Sequence, residues 1–120
     1  MDSTYVGLEV FQCQFERFSF EHTWIGDRVG ELMLGPRGGG MLEFQHAMVF
    51  ALPDGGAHEV HGDILAWYLA HGGPGGSLGY PLTDEKRTPT GHGRYNVFEN
   101  GTVGWLPGTG AFLMGSVRTA

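Results

Sequence analysis

Large apolar residues alternate along "YVGLEVFQCQFERFSF", with Val6, Leu8, Val10 and Gln12 on one parity and Phe11, Cys13 and Phe15 on the other. Alternation among aromatic and β-branched residues predicts one long strand or a bent pair. Both parities carry apolar groups, so a core or a partner is expected to cover each face. "HTWIGDRVG" interrupts the pattern, "ELMLG" allows a second strand to return, and "PRGGG" is a turn. "MLEFQHAMVFAL" is strand-like again and stops at Pro53-Asp54-Gly55-Gly56, a strong turn signal. After the short strand "AHEVHG" comes a helix. Asp63 serves as its N-cap, Ile64, Trp67, Tyr68 and His71 recur at three and four residues, and Gly72-Gly73 ends it. "RYNVFE" and "TVGWL" flank Asn100-Gly101, which predicts a hairpin, and "AFLMGSV" forms a last strand. The expected fold is mainly β with one short helix, built from repeated β-hairpin units and preceded by an N-terminal β-hairpin.

The pattern occurs twice. Phe44 aligns with Phe98, Val49 with Val103, Leu52-Pro53 with Leu106-Pro107, and Gly56-Ala57 with Gly110-Ala111, all 54 residues apart. The comparison runs from Phe44 to Ile64 and from Phe98 to Val117, with Gly62 and Gly115 one residue out of step. Repetition at this period predicts stacking of units that cannot bury their apolar faces alone. Composition refines the division. Only three of the 22 glycines precede Leu34, so a soft boundary falls near Gly35, between an N-terminal β segment (1–34) and a repeat region (35–120). The repeat region divides into a partial repeat (41–64) and a full one (72–120).

Charge then narrows the partners. Residues 1–63 hold ten acids and three bases, residues 64–120 three acids and four bases. No basic stripe suits a phosphate backbone, so nucleic acid is not an expected partner. No run reaches the ~18 apolar residues of a membrane span. "MDSTYVGLEV" lacks the basic start and apolar core of a signal peptide. The expected location is therefore cytoplasmic for the chain as written, or the cell envelope for an excised or particle-borne domain. Cys13 has no internal disulfide partner, and a buried structural thiol is the expectation for it.

From Leu78 the residues resemble a known family. Leu78-Gly79-Tyr80-Pro81 is followed by Thr83-Asp84-Glu85, by Gly91, Gly93 and Tyr95, by Phe98, an Asn-Gly and Trp105, and by Pro107 to Ala111. This series is similar to the LGFP repeat, over about residues 41–120. The resemblance implies a non-catalytic module that binds actinobacterial cell-wall polysaccharide, with several repeats about a pseudo-symmetry axis. Met33-Leu34-Gly35-Pro36 reads as a worn tetrapeptide of the preceding repeat. A ring of repeats is left incomplete, so a homo-oligomer or larger assembly is expected.

Sugar binding needs flat aromatic faces and side chains that fork hydrogen bonds to neighbouring hydroxyls. Candidates are Trp105, Tyr95, Tyr80, Asp84, Glu85 and Arg94, with His58 at a position where the family commonly has a histidine. Core packing is the alternative for Trp105 and Tyr95, and turn closure for Thr83-Asp84-Glu85. Glycoside hydrolysis would require Asp84 or Glu85 to meet a distant acid such as Asp63 or Glu99 across a sugar bond. His58 and His61, three apart in a strand, should point to opposite faces, so no metal site is expected. Nor is a cofactor. A small biosynthetic enzyme using the scaffold as a pocket is the alternative function, with Cys13, His22, Glu16 and Asp84 as its residues. A phage or assembly protein is a third.

Overall fold

A computed structural model describes residues 3–116 of the chain. Val117, the end of the repeat comparison, and the side chains of Val6 and Leu8, used for the strand parity, lie outside the described residues. The first element differs from expectation: Ser3–Glu21 is a helix, α1, and not a β-hairpin. The reason lies in a second periodicity of the same segment. Phe11, Phe15 and Phe18 recur at four and three residues and are all buried, whereas Val10, Cys13 and Phe20 face solvent. Stacked Phe11 and Phe15 rings and an i,i+4 pair from Arg17 to Glu21 support the same winding. Cys13 is thus exposed and not a buried thiol. Cys13→Ser should change stability by no more than about 0.5 kcal/mol, as for most surface substitutions. Denaturant titration of the two proteins checks this, and a shift above 1 kcal/mol would contradict it.

Two four-stranded antiparallel sheets follow, and with two helices they make a mostly β fold. In the first, β1 (Met33–Leu34), β2 (Gly40–Glu43), β3 (Met48–Ala51) and β4 (Ala57–Val60) pair in chain order. A helix, α2 (Gly62–Ala70), leads to the second sheet of β5 (Lys86–Arg87), β6 (Arg94–Phe98), β7 (Gly101–Leu106) and β8 (Gly110–Ser116). The short helix stands where the sequence puts it, and the hairpin does too, with its two-residue turn at Glu99-Asn100, one residue before the expected Asn100-Gly101, because Gly101 already pairs with Phe98. His61, and not Asp63, is the N-cap position of α2. The division at residue 35 cuts β1 from its partner β2, so it is not a boundary between sheets.

Cross-strand partners share a face. One face of the first sheet carries Leu42 and Val49 and packs on the phenylalanines of α1. The other carries Met48, Phe50 and Val60 and packs on α2 and, through it, on Phe98 and Val103 of the second sheet. Tyr68 of α2 lies between the layers, its ring 5.4 Å from Phe50 and 4.5 Å from Phe98. The order is helix, sheet, helix, sheet. A helix apolar on one side alone, like α1, suits the outside of such a stack, and α2, with Ile64 and Tyr68 buried and Leu65 and Trp67 half-buried against the core, suits its middle.

The two units match beyond their sheets. Leu82 N–H donates to Val97 O at 2.7 Å, and Val29 N–H to Glu43 O at 3.0 Å. Glu99 N–H reaches Tyr80 O and Asn100 N–H reaches Leu78 O, as Gln45 N–H reaches Asp27 O and His46 N–H reaches Ile25 O. Tyr80 N–H donates to Glu99 Oε1, as Asp27 N–H does to Gln45 Oε1. Gly79 and Gly26 share a positive φ, +76° and +82°, and a β-carbon at either would collide with the side chain of Glu99 or Gln45. The counterpart of Leu78-Gly79-Tyr80-Pro81 is therefore Ile25-Gly26-Asp27-Arg28. Met33 to Pro36, the expected remnant, instead supplies β1 and the start of the next turn.

Candidate functional site

The joint between units is made by Tyr80. Its ring is buried, its hydroxyl donates to Pro36 O at 2.6 Å, and β-carbons at Gly35 and Gly39 would overlap it. Arg37 closes the joint with an ion pair to Glu99 and a guanidinium 5.4 Å from the Tyr80 ring. Held this way, the end of β4 faces the loop before β5 across a cavity of about 360 Å³, lined by His22, Trp24, Glu59, His61, Asp84 and Glu85.

Several anchors fix the walls. Asn96, fully buried, donates to Glu59 O at 3.0 Å and Thr83 O at 3.1 Å, tying the two units together. Thr83 Oγ1 accepts Val97 N–H. Asp84 Oδ1 accepts Glu59 N–H at 3.1 Å and lies 3.4 Å from His58 Nδ1, and Oδ2 is 3.6 Å from His22 Nε2. Burial alone would raise the Asp84 carboxyl, but the His58 and Glu59 hydrogen bonds and the nearby histidines outweigh it and hold it below the usual range. Glu59 is only 3% exposed. Its Oε1 accepts Glu85 N–H at 2.8 Å, and its Oε2 is 2.7 Å from His61 Nδ1. That bond raises the His61 imidazole above its ordinary value, against the pull of burial, and Glu59 and Glu85 add their fields. Glu85 is pushed up by burial; His61 lowers it, the Glu59 charge raises it, and Arg94 lowers it. Its Oε2 sits 3.6 Å from His61 Nε2 and 3.8 Å from Arg94 Nε, beyond hydrogen-bonding distance of either. Trp24 stands on the rim, 46% exposed, edge-on to His61 at 4.8 Å.

Linkage sets a pH window. The raised His61 stabilises the fold fully below about 6.5, its unfolded value, and loses that contribution as pH rises through its folded pKa. The lowered Asp84 contributes above about 3.8 and loses that as pH falls through its folded pKa. His61→Gln should therefore flatten the alkaline side of the melting-temperature profile by a few degrees and leave the acid side in place. Differential scanning calorimetry from pH 4 to 9 checks this; an unchanged alkaline slope would contradict it.

Of the sequence-derived candidates, Asp84 and Glu85 line the cavity, His58 lies behind Asp84, and Arg94 flanks Glu85. Tyr80 is in the core. Trp105 is half-buried against that core, its Nε1 donating to Asp63 Oδ2 at 3.0 Å. Tyr95 is in register with Gly104 and Lys86 on the second sheet, on the face away from Val103. Asp63 and Glu99 are engaged elsewhere and do not meet Asp84 or Glu85. His22 and Asp84 come together, whereas Glu16 lines another cavity and Cys13 faces out. Glu59 and Trp24 were missed, and His61 was weighed only as a metal ligand. The spacing of His58 and His61 misleads because His61 lies one residue past β4, where strand parity no longer holds. Among the described residues no group of three or more His, Cys, Asp or Glu is placed to hold a metal ion. No membrane-length apolar helix is present among them either.

Compared with family models, residues 29–76 and 78–119 each match that of the LGFP repeat. No curated protein matches the chain.

Proposed function

We propose that this chain, which belongs to the LGFP repeat family, is a non-catalytic module that binds actinobacterial cell-wall polysaccharide in the cavity between its two units. One observation carries the reading: an exposed indole, Trp24, stands over a floor of Asp84, Glu85 and His61 whose groups are already oriented by Glu59, His58 and Asn96. An aromatic face with fixed acceptors and donors beside it is what a sugar ring and its hydroxyls require. The volume, about 360 Å³, is within the range of small-ligand sites. Insoluble actinobacterial cell wall should therefore sediment the protein, and wall that leaves it in the supernatant removes the proposal.

A catalytic reading has one observation in its favour, the His61 imidazole between buried Glu59 and the raised carboxyl of Glu85. Release of soluble sugars from the wall on prolonged incubation would favour it over binding.

Self-association, the other partner expectation, now has a different basis. With α1 in place of an apolar strand, exposed apolar side chains are spread over α1 (Val10, Phe20), β1 (Met33, Leu34) and β8 (Leu113, Met114), of which β8 is the longest outer strand. A homodimer through the second sheet is the expected form. Light scattering that gives 13.0 kDa at micromolar concentration would exclude it.

A further inference from the structure

An outer strand offers unpaired backbone groups to any other strand, so folded proteins keep such strands short, charge them or cover them. Among the described residues, three of the four outer strands obey. β1 is Met33–Leu34 alone, and β5 is Lys86–Arg87, two residues and both charged. β4 is covered by the second unit: Glu59 N–H donates to Asp84 Oδ1, and Glu59 O accepts from Asn96 Nδ2. β8 breaks the pattern. It runs seven residues, Gly110–Ser116, without a charge or a proline. Its bulge at Met114 leaves Gly110 to Leu113 in regular register with β7. Leu113 pairs with Val103 as Glu59 pairs with Val49, so its N–H and C=O point to the outer side, as those of Glu59 do. Among the described residues no side chain caps them, and Leu113 is exposed.

The face on which a further unit would stack is closed from within. Gly93 O accepts Thr88 N–H as Gly39 O accepts Gly35 N–H, which makes Gly93 the counterpart of Gly39. Gly39 leaves the hollow that Tyr80 fills, but a β-carbon at Gly93 would meet Leu106 and Thr88 of its own unit. Gly104 stands where the first sheet has Phe50, and Met114 lies over it. We infer that a second copy of this chain pairs antiparallel along the open edge of β8, joining the two second sheets about a two-fold axis. An edge paired this way is complementary to itself. Each copy carries a net charge of −6, so an uncharged strand is where two of them approach with least repulsion. The same edge position, on β4, already serves as an interface to a unit of this fold. The inference deepens the self-association reading and rests on it. Two inter-unit cavities on one dimer would hold a polymer at two points, with avidity beyond either alone.

Sedimentation equilibrium and amide-resolved hydrogen exchange on the full chain test this. Wild type should give twice 13.0 kDa at micromolar concentration, and exchange at the Leu113 amide should slow as concentration rises. Leu113→Lys puts like charges on the two edges; it should keep the wild-type melt and weaken the dimer at least about tenfold. Should that variant fail to fold, the wild-type exchange decides alone. A dimer whose Leu113 amide exchanges at one rate at every concentration overturns the edge and leaves self-association standing. So does a dimer that a folded Leu113→Lys protein forms as readily as wild type. Masses that climb past two copies overturn the two-fold pairing. A mass of 13.0 kDa at micromolar concentration overturns this inference and the self-association reading together.

Discussion

Tyr80→Ala is expected to cost about 3–5 kcal/mol, the range for deleting a buried aromatic ring. Against a total of roughly 5–15 kcal/mol for a domain, that is enough to leave much of the protein unfolded near its working temperature. The loss has three parts. The ring is 1% exposed and packs within the cluster that joins the units, its hydroxyl satisfies Pro36 O, and Gly35 and Gly39 leave a hollow that only this side chain fills. Tyr80→Phe separates them. It keeps the ring and removes the hydroxyl's bond to Pro36 O, which still accepts Gly39 N–H, for an expected ~0.5–1.5 kcal/mol. Urea titration followed by tyrosine and tryptophan fluorescence measures both. A Tyr80→Ala protein within 1 kcal/mol of wild type would show that the units do not depend on this joint.

The same residue shows how far sequence reading reaches. The period of 54 residues, the hairpin around Asn100 and α2 were legible because each is fixed by local chemistry: a turn, a helix stop, a spacing of apolar residues. Tyr80 was legible as a motif residue but not as a joint, since its partners Gly35, Pro36 and Gly39 are more than 40 positions away. α1 was misread because Phe11 and Phe15 satisfy both a period of two and a period of 3.6, and only Phe18, with charged Glu16 and Arg17 between, breaks the tie. The cavity was half legible. Asp84 and Glu85 stand in a conspicuous motif, but Glu59, His61 and Trp24 acquire meaning only when stacking brings β4, the α1 exit and the second unit together. The tetrapeptide of the first unit was hidden for a similar reason. Ile25-Gly26-Asp27-Arg28 keeps the apolar first residue and the glycine, and changes the tyrosine that in the second unit reaches Pro36 of the first.

Trp24→Ala and Trp105→Ala are expected to separate binding from folding. Trp24 is the more exposed, meets His61 only edge-on, and borders the cavity, so its loss should change stability by less than about 1 kcal/mol. Cell-wall binding should fall at least about tenfold, taking ~1–3 kcal/mol per stacked ring from the nearest analogue, a base on an aromatic side chain. Trp105 is placed to do the opposite. Its ring packs on the core between the units and its Nε1–H donates to Asp63 at the start of α2, so alanine there removes a link between β7 and that helix. The cost should approach, without reaching, the ~3–5 kcal/mol of a fully buried tryptophan. Binding by the fraction still folded should be unchanged, since no part of Trp105 lines the cavity. Circular dichroism melts and sedimentation with insoluble wall, run on both variants at one temperature below both transitions, give the two quantities independently. If Trp24→Ala sediments as wild type does while Trp105→Ala, still folded, stays in solution, the sugar lies along the second sheet and not between the units.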